Sequence, residues 1–290
     1  MPQAKIGVIG GTGLYGVEGL TDIEEVDINT PFGQPSNRII VGRLEGLGIA
    51  FLPRHGKGHH LSPTEVPYQA NIYALKLLGV EHIIATNSVG SFKEEIKPGD
   101  LLIPDQLIDR TRSRINTFFT EGIVGHIPFG DPFCPVLSQT LYEAAQEVGA
   151  SAHNGGTYVV MEGPAFSTRA ESRLYRSWGA DVIGMTALPE AKLAREAEIC
   201  YAVIACVTDY DSWHERREPV TVDVILNIQR HNVDTARQMI KLAAARVPKE
   251  RHCICADALS TALVTAPEYI PAEQRQKLEL LIGKYLKGDK

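Results

Sequence analysis

The sequence predicts an α/β fold organised as a single domain. Continuous apolar runs, typical of strands buried on both faces, alternate with segments whose apolar residues recur at helical spacing. No shift in composition marks a linker across the 290 residues, and no internal repeat is visible. Alternation of this kind favours a central sheet covered by helices.

The predicted strands are short and end in polar or glycine-rich positions. The run at residues 5–10 leads into the glycines that follow Gly10, and residues 38–44 and 49–53 flank a turn centred on Gly46. A short strand at residues 82–85 precedes a polar, glycine-bearing loop at 86–91. Further strands are predicted at residues 101–104, 157–161, 181–185 and 200–207.

Helices are predicted wherever apolar residues follow a period near 3.6. Tyr68, Ile72, Leu75 and Leu78 show this spacing within residues 67–78. The same criterion predicts helices at residues 136–148, 169–178, 189–197 and 222–247, and a helical C-terminal tail from about residue 250, with runs at 256–264 and 272–285. A long polar segment follows the predicted strand at 101–104 and extends to residue 135. Its apolar residues show only weak periodicity, which favours a functional loop or a subunit contact.

Composition argues against several classes of partner. The net charge is −6, and the longest basic run is Arg216-Arg217, so neither nucleic acid nor an anionic membrane surface is expected. No apolar run approaches the length of a membrane span, and the first residues lead directly into a strand, so we expect no signal peptide. Five cysteines do not make a disulfide scaffold. We expect a cytoplasmic location.

Two carboxylates, Asp209 and Asp211, follow the apolar run at 200–207. In an open α/β sheet, ligands bind at the carboxyl ends of strands. A period of two would place both acids on one side of the extended chain. Asp is also common in solvated turns at strand ends, so this segment alone leaves both interpretations open.

Other predicted strand ends carry groups suited to an anion. The glycine turn with Thr12 offers backbone N–H groups and a hydroxyl, Arg54 and His55 offer further donors, and Ser88 lies in the polar loop. One shared phosphate pocket would explain all of them. Met185 and Thr186, at another strand end, with the two acids, would suit a sugar and a nitrogen base that carries an exocyclic amine.

Three alternative sites are disfavoured or left open. Gly11-x-Gly13-x-x-Gly16 matches a dinucleotide fingerprint, but two glycines and a proline-containing turn leave little room for the required helix. His55, His59 and His60 invite a metal interpretation, but Gly56 and Gly58 disfavour the rigid helical pair it needs, and no metal site is predicted. Cys253 and Cys255 are expected to be reduced, with a redox role as the alternative.

At this point the motifs resemble the purine nucleoside phosphorylase family. The resemblance rests on Val8-Ile9-Gly10-Gly11-Thr12-Gly13, Arg54-His55-Gly56, Tyr68-Gln69-Ala70-Asn71 and Glu162-Gly163-Pro164. Residues 167–172, Met185-Thr186 and residues 207–211 are similar to those of the members that act on 5′-methylthioadenosine. The match runs from about residue 5 to 250. It departs at Asn87-Ser88-Val89, where the family often has a second Thr-Ala pair.

The resemblance implies a central mixed, partly barrel-like sheet wrapped by helices, a homotrimer, and reversible phosphorolysis of methylthioadenosine without a metal or organic cofactor. The implied phosphate ligands are Thr12, Arg54, His55, Ser88, Val89 and Thr186. Phe166, Ser167, Met185, Asp209 and Asp211 would contact the nucleoside, with both acids catalytic at the base. Val222, Ile225 and Leu226 would form the methylthio pocket, and His126 would come from a neighbouring subunit. A broader purine nucleoside or methylthioinosine phosphorylase, or a silent nucleoside-binding protein, remains the alternative.

Overall fold

Parallel strands form the centre of the sheet in the computed structural model, which describes residues 2–11, 14, 16–214, 222–248 and 250–286, without the side chains of 222–227 and 229–231. Strand β1 (Ile6–Gly10) pairs in parallel with β4 (Leu47–Pro53) and β5 (His82–Ser91). Strand β5 also pairs in parallel with β11 (Cys200–Tyr210). The carboxyl ends of these four strands therefore meet at one edge of the sheet.

The remaining strands make the sheet mixed and branched. Beyond β4 lie the antiparallel strands β3 (Ile39–Leu44) and β2 (Thr21–Val26). The far half of β5 pairs with β10 (Val182–Gly184), which continues to β9 (Thr157–Met161) and β7 (Gln106–Arg110). On its other side β11 pairs with β6 (Leu101–Ile103), followed by β8 (Ala152–Asn154). Strand β5 thus contacts three strands, and the sheet divides there.

Helices cover both faces of the sheet, as the predicted α/β class requires. On one face α1 (Tyr68–Leu77) packs against α4 (Ala187–Glu196), and their buried residues share one hydrophobic core. On the other, α2 (Pro135–Glu147) packs against α5 (Val222–Arg246) in a second core. The other helices are α3 (Arg169–Ser177), α6 (Ala272–Lys277) and α7 (Glu279–Leu286), and Pro267–Tyr269 forms a 3₁₀ turn.

Helix α3 begins with a capping box. The Thr168 side chain accepts from the backbone N–H of Glu171 at 3.2 Å, and the Glu171 carboxylate accepts from the backbone N–H of Thr168 at 2.8 Å. This reciprocal pair satisfies two N–H groups that have no partner within the helix. The motif at residues 167–172, which carries part of the family resemblance, therefore fixes where α3 starts.

The structure corrects several details of the predicted elements, including two short strands, β7 and β8, that were not predicted. Residues 86–91 continue β5 rather than forming a loop, because β11 pairs with them along their whole length. Residues 254–262 form successive turns, so helices in the C-terminal tail begin only at α6. The exposed edge strand β2 was not predicted, because its sequence, Thr-Asp-Ile-Glu-Glu-Val, shows no regular alternation of apolar and polar residues. No helix among the described residues is long and apolar enough to cross a bilayer.

Candidate active site

A cavity of about 270 Å³ opens where the carboxyl ends of the parallel strands meet. Strands β5 and β11 and the segments after β1, β4 and β10 all contribute to its wall, and α5 contributes Asn232, Val233 and Ala236. This position is typical of small-molecule sites in α/β proteins. The predicted site residues that line the cavity are Arg54, His55, Ser88, Val89, Phe166, Met185, Thr186, Asp209 and Asp211.

The other predicted site residues fall elsewhere. Thr12 lies outside the described residues, as do the side chains of Val222, Ile225 and Leu226 at the start of α5. Ser167 is buried beside the cavity but does not line it, and its hydroxyl faces the Met161 sulfur at 3.7 Å. His126 is exposed, and it does not line the cavity of its own chain.

Arg54 occupies one end of the cavity and is 2% exposed. Its Nε donates to Glu190 Oε1 at 2.5 Å, and its Nη2 donates to Glu190 Oε2 at 3.0 Å. Burial acts to lower the pKa of Arg54, but the paired carboxylate outweighs it and raises that pKa, so the guanidinium is charged. A fork-to-fork pair of this kind fixes the plane of the guanidinium.

Two polar groups of β5 complete the orientation of Arg54. Its Nη1 donates to the Thr86 carbonyl and its Nη2 to Asn87 Oδ1, both at 3.0 Å. The Asn87 amide in turn donates to the Tyr158 hydroxyl at 3.2 Å. These bonds leave one Nη1 N–H for a ligand. Asn87, at the position where the sequence departs from the family pattern, thus holds the arginine in place.

His55 is neutral in this arrangement. Its Nδ1 lies 2.8 Å from the Leu61 carbonyl, which can only accept, so Nδ1 carries the proton. Burial, followed by the charge of Arg54, lowers the pKa of His55 to about 4. Its ring stacks on that of His59 with centroids 4.3 Å apart. Nε2 is therefore an acceptor, and His55 can donate to an anion from Nε2 only after gaining a proton.

Residues with hydroxyl side chains also line the cavity. Ser88 is an exposed residue on β5 that lines the cavity, and Thr86 and Thr186 line it as well. Thr186 occupies the N-cap position of α4 but makes no capping hydrogen bond there. With the charged Arg54 and several hydroxyl donors, the cavity is suited to bind a phosphate.

Two buried carboxylates occupy another part of the cavity wall. Asp209 Oδ1 accepts from the Thr208 hydroxyl at 2.7 Å. Burial, with a smaller contribution from Asp211, raises the pKa of Asp209 to about 6. Burial also raises the pKa of Asp211, whose buried Oδ2 has no hydrogen-bond partner among the described residues. Asp209 can therefore carry a proton near neutral pH, and Asp211 has a free acceptor.

The pairing of β5 with β11 places both acids. Its register shifts between Val207 and Asp209, at the buried Thr208, whose hydroxyl donates to Asp209 Oδ1 and lies 3.3 Å from the Val89 carbonyl. Gly90 lies opposite: a Cβ there would come within 3.1 Å of Asp209 Oδ2 and 3.3 Å of Asp211 Cβ. The absence of a side chain at residue 90 therefore makes room for the two carboxylates.

Residues on other elements support the site and could not be identified from the sequence. Glu190 lies 136 positions from Arg54, and it also accepts from the Tyr201 hydroxyl at 2.9 Å. A buried arginine implies a carboxylate partner, but not which one. Asn232, on α5, is 1% exposed, and its Nδ2 has no partner among the described residues. Neither residue lies in a motif that marks it in the sequence.

Comparison with known proteins identifies the family to which the chain belongs. The model of the phosphorylase superfamily matches residues 5–245. S-methyl-5′-thioadenosine phosphorylase of Geobacter sulfurreducens is 58% identical, covering 98% of this chain and 100% of its own. The protein of that name from Synechocystis is 53% identical, covering 98% of this chain and 89% of its own.

Solved structures give the same result. A methylthioadenosine phosphorylase from an antarctic soil metagenomic library superimposes with a TM-score of 0.92 at 48% identity, over 97% of this chain and 99% of that one. An S12T mutant of adenosine/methylthioadenosine phosphorylase from Schistosoma mansoni, in complex with methylthioadenosine, gives a TM-score of 0.77 at 37% identity, over 86% and 93%. The chain belongs to the phosphorylase superfamily and, within it, to the S-methyl-5′-thioadenosine phosphorylase family.

Proposed function

We propose that this protein is a pentosyltransferase that catalyses the reversible phosphorolysis of S-methyl-5′-thioadenosine to adenine and 5-methylthioribose 1-phosphate, a step of purine and methionine salvage. The observation that carries the proposal is that one cavity combines a charged arginine and hydroxyls with two buried carboxylates whose pKa values are raised. The first set suits phosphate and the second suits a purine that must leave with a proton.

Phosphate binds at the Arg54 end in this proposal. The remaining Nη1 N–H of Arg54, the hydroxyls of Thr12, Ser88 and Thr186, and the backbone N–H of Val89 donate to it. A dianion next to His55 would favour protonation of that ring and so turn Nε2 into a further donor. Donors fixed in this way stabilise the nucleophile against the positive ribose of the transition state.

Asp209 acts as the general acid. A phosphate oxygen forms a bond to C1′ of the ribose as the bond from C1′ to N9 breaks, and the electrons of that bond enter the purine. Protonated Asp209 donates to N7, so adenine leaves neutral. Asp211 accepts from the 6-amino group through its free Oδ2. The raised pKa of Asp209 supports this role, because a catalytic acid works best with a pKa near the working pH.

The rest of the substrate contacts apolar side chains. Met185 lies under the ribose, and Phe166, 57% exposed at the cavity mouth, stacks on the base with Ser167 beside it. Val222, Ile225 and Leu226 form the methylthio pocket at the start of α5. His126 completes the site of a neighbouring subunit in a homotrimer, which is consistent with its position outside its own cavity.

The reaction needs inorganic phosphate and no metal or organic cofactor, and we place it in the cytoplasm.

The decisive assay measures adenine release from methylthioadenosine with and without inorganic phosphate. We expect release only with phosphate, with 5-methylthioribose 1-phosphate as the second product. Release without phosphate would indicate hydrolysis, and no release in either case would indicate a binding protein.

A substrate series tests the roles of the two acids. A 6-oxo purine presents an acceptor where Asp211 needs a donor, which costs several decades when buried polar groups stay unpaired. The order expected is methylthioadenosine over adenosine, and both over inosine. Equal rates for inosine and methylthioadenosine would favour a broader purine nucleoside phosphorylase.

A further inference from the structure

Four cysteines from three parts of the chain meet on the α2 and α5 face of the sheet. They are Cys134, Cys200, Cys253 and Cys255, and their four sulfur atoms all lie within 4.8 Å of one another. None of them lines the substrate cavity. We call them the four-cysteine cluster.

The sulfur positions fit a tetrahedral metal site. Zinc–thiolate bonds of about 2.3 Å place the sulfurs of a tetrahedron roughly 3.8 Å apart. The separations in the cluster, with 3.2 Å between Cys200 and Cys253 and a limit of 4.8 Å for every pair, bracket that value. A disulfide needs its two sulfurs about 2.05 Å apart, and all four cysteines are free.

The surroundings suit a soft metal held by thiolates. Cys134, Cys200 and Cys255 are each at most 1% exposed, and Cys253 is half-buried. The cluster is packed within the apolar core that α2 and α5 share, so water is largely excluded. Cys134 is the N-cap of the 13-residue helix α2, and a helix N-terminus stabilises a thiolate.

The backbone already holds the cluster residues in place. The N–H of Cys134 donates to the Tyr201 carbonyl at 2.8 Å, which fixes the start of α2 against the start of β11. Cys253 and Cys255 lie in the turns after α5, where the Cys253 carbonyl accepts from Ala256 at 3.1 Å. The Cys-x-Cys pair therefore lies in the C-terminal segment, next to the cysteines that begin α2 and β11.

We propose that the four-cysteine cluster binds one divalent metal ion, such as zinc. The bound ion then stabilises the packing of the C-terminal segment against the sheet. The ion displaces the thiol protons to solvent, and no electron is transferred. From the sequence alone, no metal site is predicted, and Cys253 and Cys255 are expected to be reduced, with a redox role as the alternative. The structure adds two distant cysteines to that pair, and this changes the inference. The site is structural and does not depend on the function proposed above.

The test begins with the wild-type chain, produced without a histidine tag and without metal-affinity purification. We expect elemental analysis to find about one zinc ion per chain. Replacement of zinc by cobalt should give the intense visible absorption of a tetrahedral cobalt site and the charge-transfer bands of cobalt bonded to thiolate. A chelator that removes the ion should lower Tm by several degrees.

Two variants form the matched comparison. Cys253→Ser changes the half-buried member, so its packing cost is small, and it should lose the metal and the cobalt–thiolate bands. Cys206→Ser, a buried cysteine outside the cluster, should retain the metal and serves as a control for metal content only. If Cys253→Ser does not fold, the wild-type metal content and cobalt spectrum still decide.

Three results would overturn the proposal. The first is wild-type protein that contains no zinc and takes up no cobalt. The second is mass spectrometry under non-reducing conditions that finds disulfides among the four cysteines. The third is an equal metal content in Cys253→Ser and Cys206→Ser. Any of these would leave the cluster as packed thiols or as a disulfide pair.

Discussion

Replacing Asp209 by Asn should make the protein more stable and much less active. Burial raises the pKa of Asp209 from 3.8 to about 6, so at pH 7 the folded state holds a carboxylate that the interior disfavours. This difference corresponds to about 3 kcal/mol of folding free energy, lost as pH rises from 3.8 through 6. Asn is similar in shape, carries no charge, and can still accept from the Thr208 hydroxyl.

At pH 7 the free energy of unfolding of Asp209→Asn should therefore exceed that of wild type by up to about 3 kcal/mol, which corresponds to roughly 5–10 °C in Tm. The gain should disappear below about pH 4, where wild-type Asp209 is protonated as well. Turnover should fall by roughly 10²–10⁴-fold, the usual contribution of a general acid. The measurements are thermal melting from pH 4 to 8 and steady-state kinetics with methylthioadenosine and phosphate.

Asp100→Asn is the matched control with the opposite sign. Burial acts to raise the pKa of Asp100, but hydrogen bonds from His153 and from the Lys97 N–H outweigh it and lower that pKa. Its stabilising effect is present above the ordinary pKa and is lost as pH falls, so Asp100→Asn should destabilise the protein at pH 7. Wild-type turnover in Asp209→Asn would contradict its role as the acid, and an equal stability gain at pH 4 and pH 7 would contradict its raised pKa.

Three further outcomes follow from the same contacts. Glu190→Gln leaves Arg54 buried without its counter-charge, so it should lower stability by about 3 kcal/mol, and added phosphate should raise its Tm more than that of wild type. Gly90→Ala brings a Cβ within 3.1 Å of Asp209 Oδ2, so kcat/KM should fall with little change in Tm. In wild type, kcat/KM for methylthioadenosine should decrease as pH rises above about 6, because the fraction of protonated Asp209 decreases.

Each outcome has a result that contradicts it. Tyr201→Phe removes a hydrogen bond to Glu190 without changing charge, and an equal loss of stability in that variant would refute the ion-pair argument. Wild-type kinetics in Gly90→Ala would mean that Asp209 and Asp211 do not need the space left by the missing side chain at residue 90. A pH profile that keeps rising through pH 8 would assign the proton to another group.

The central strands and the motifs at their ends could be predicted from the sequence, because both depend on neighbouring residues. Cys200–Tyr210 is a long apolar run with acids at its end, and a parallel sheet gathers such ends at one edge. Residues 86–91 were misassigned because their polar composition is typical of a loop, whereas pairing with a distant strand keeps them extended. Local composition cannot report such pairing.

Long-range side-chain pairs could not be predicted. The partner of Arg54 lies on α4, 136 positions away, and the four-cysteine cluster joins the start of α2, the start of β11 and the turns after α5. A Cys-x-Cys pair is visible in the sequence, but the two further sulfurs are brought to it only by the fold. The spacing of apolar residues predicts helices, strands and their buried faces. It does not specify which polar side chains contact each other between those helices and strands.

Strand β11 also determines how perturbations of the protein should combine. Cys200 begins the strand and Asp209 lies near its end, so at about 3.3 Å per residue roughly 30 Å separate them. Changes this far apart with no shared contacts are expected to be additive in free energy. A double variant of Cys253→Ser and Asp209→Asn should therefore show the sum of the two single effects on stability. Substitutions of the cysteines at one end of β11 can then change the free energy of unfolding independently of substitutions of the acids at the other end.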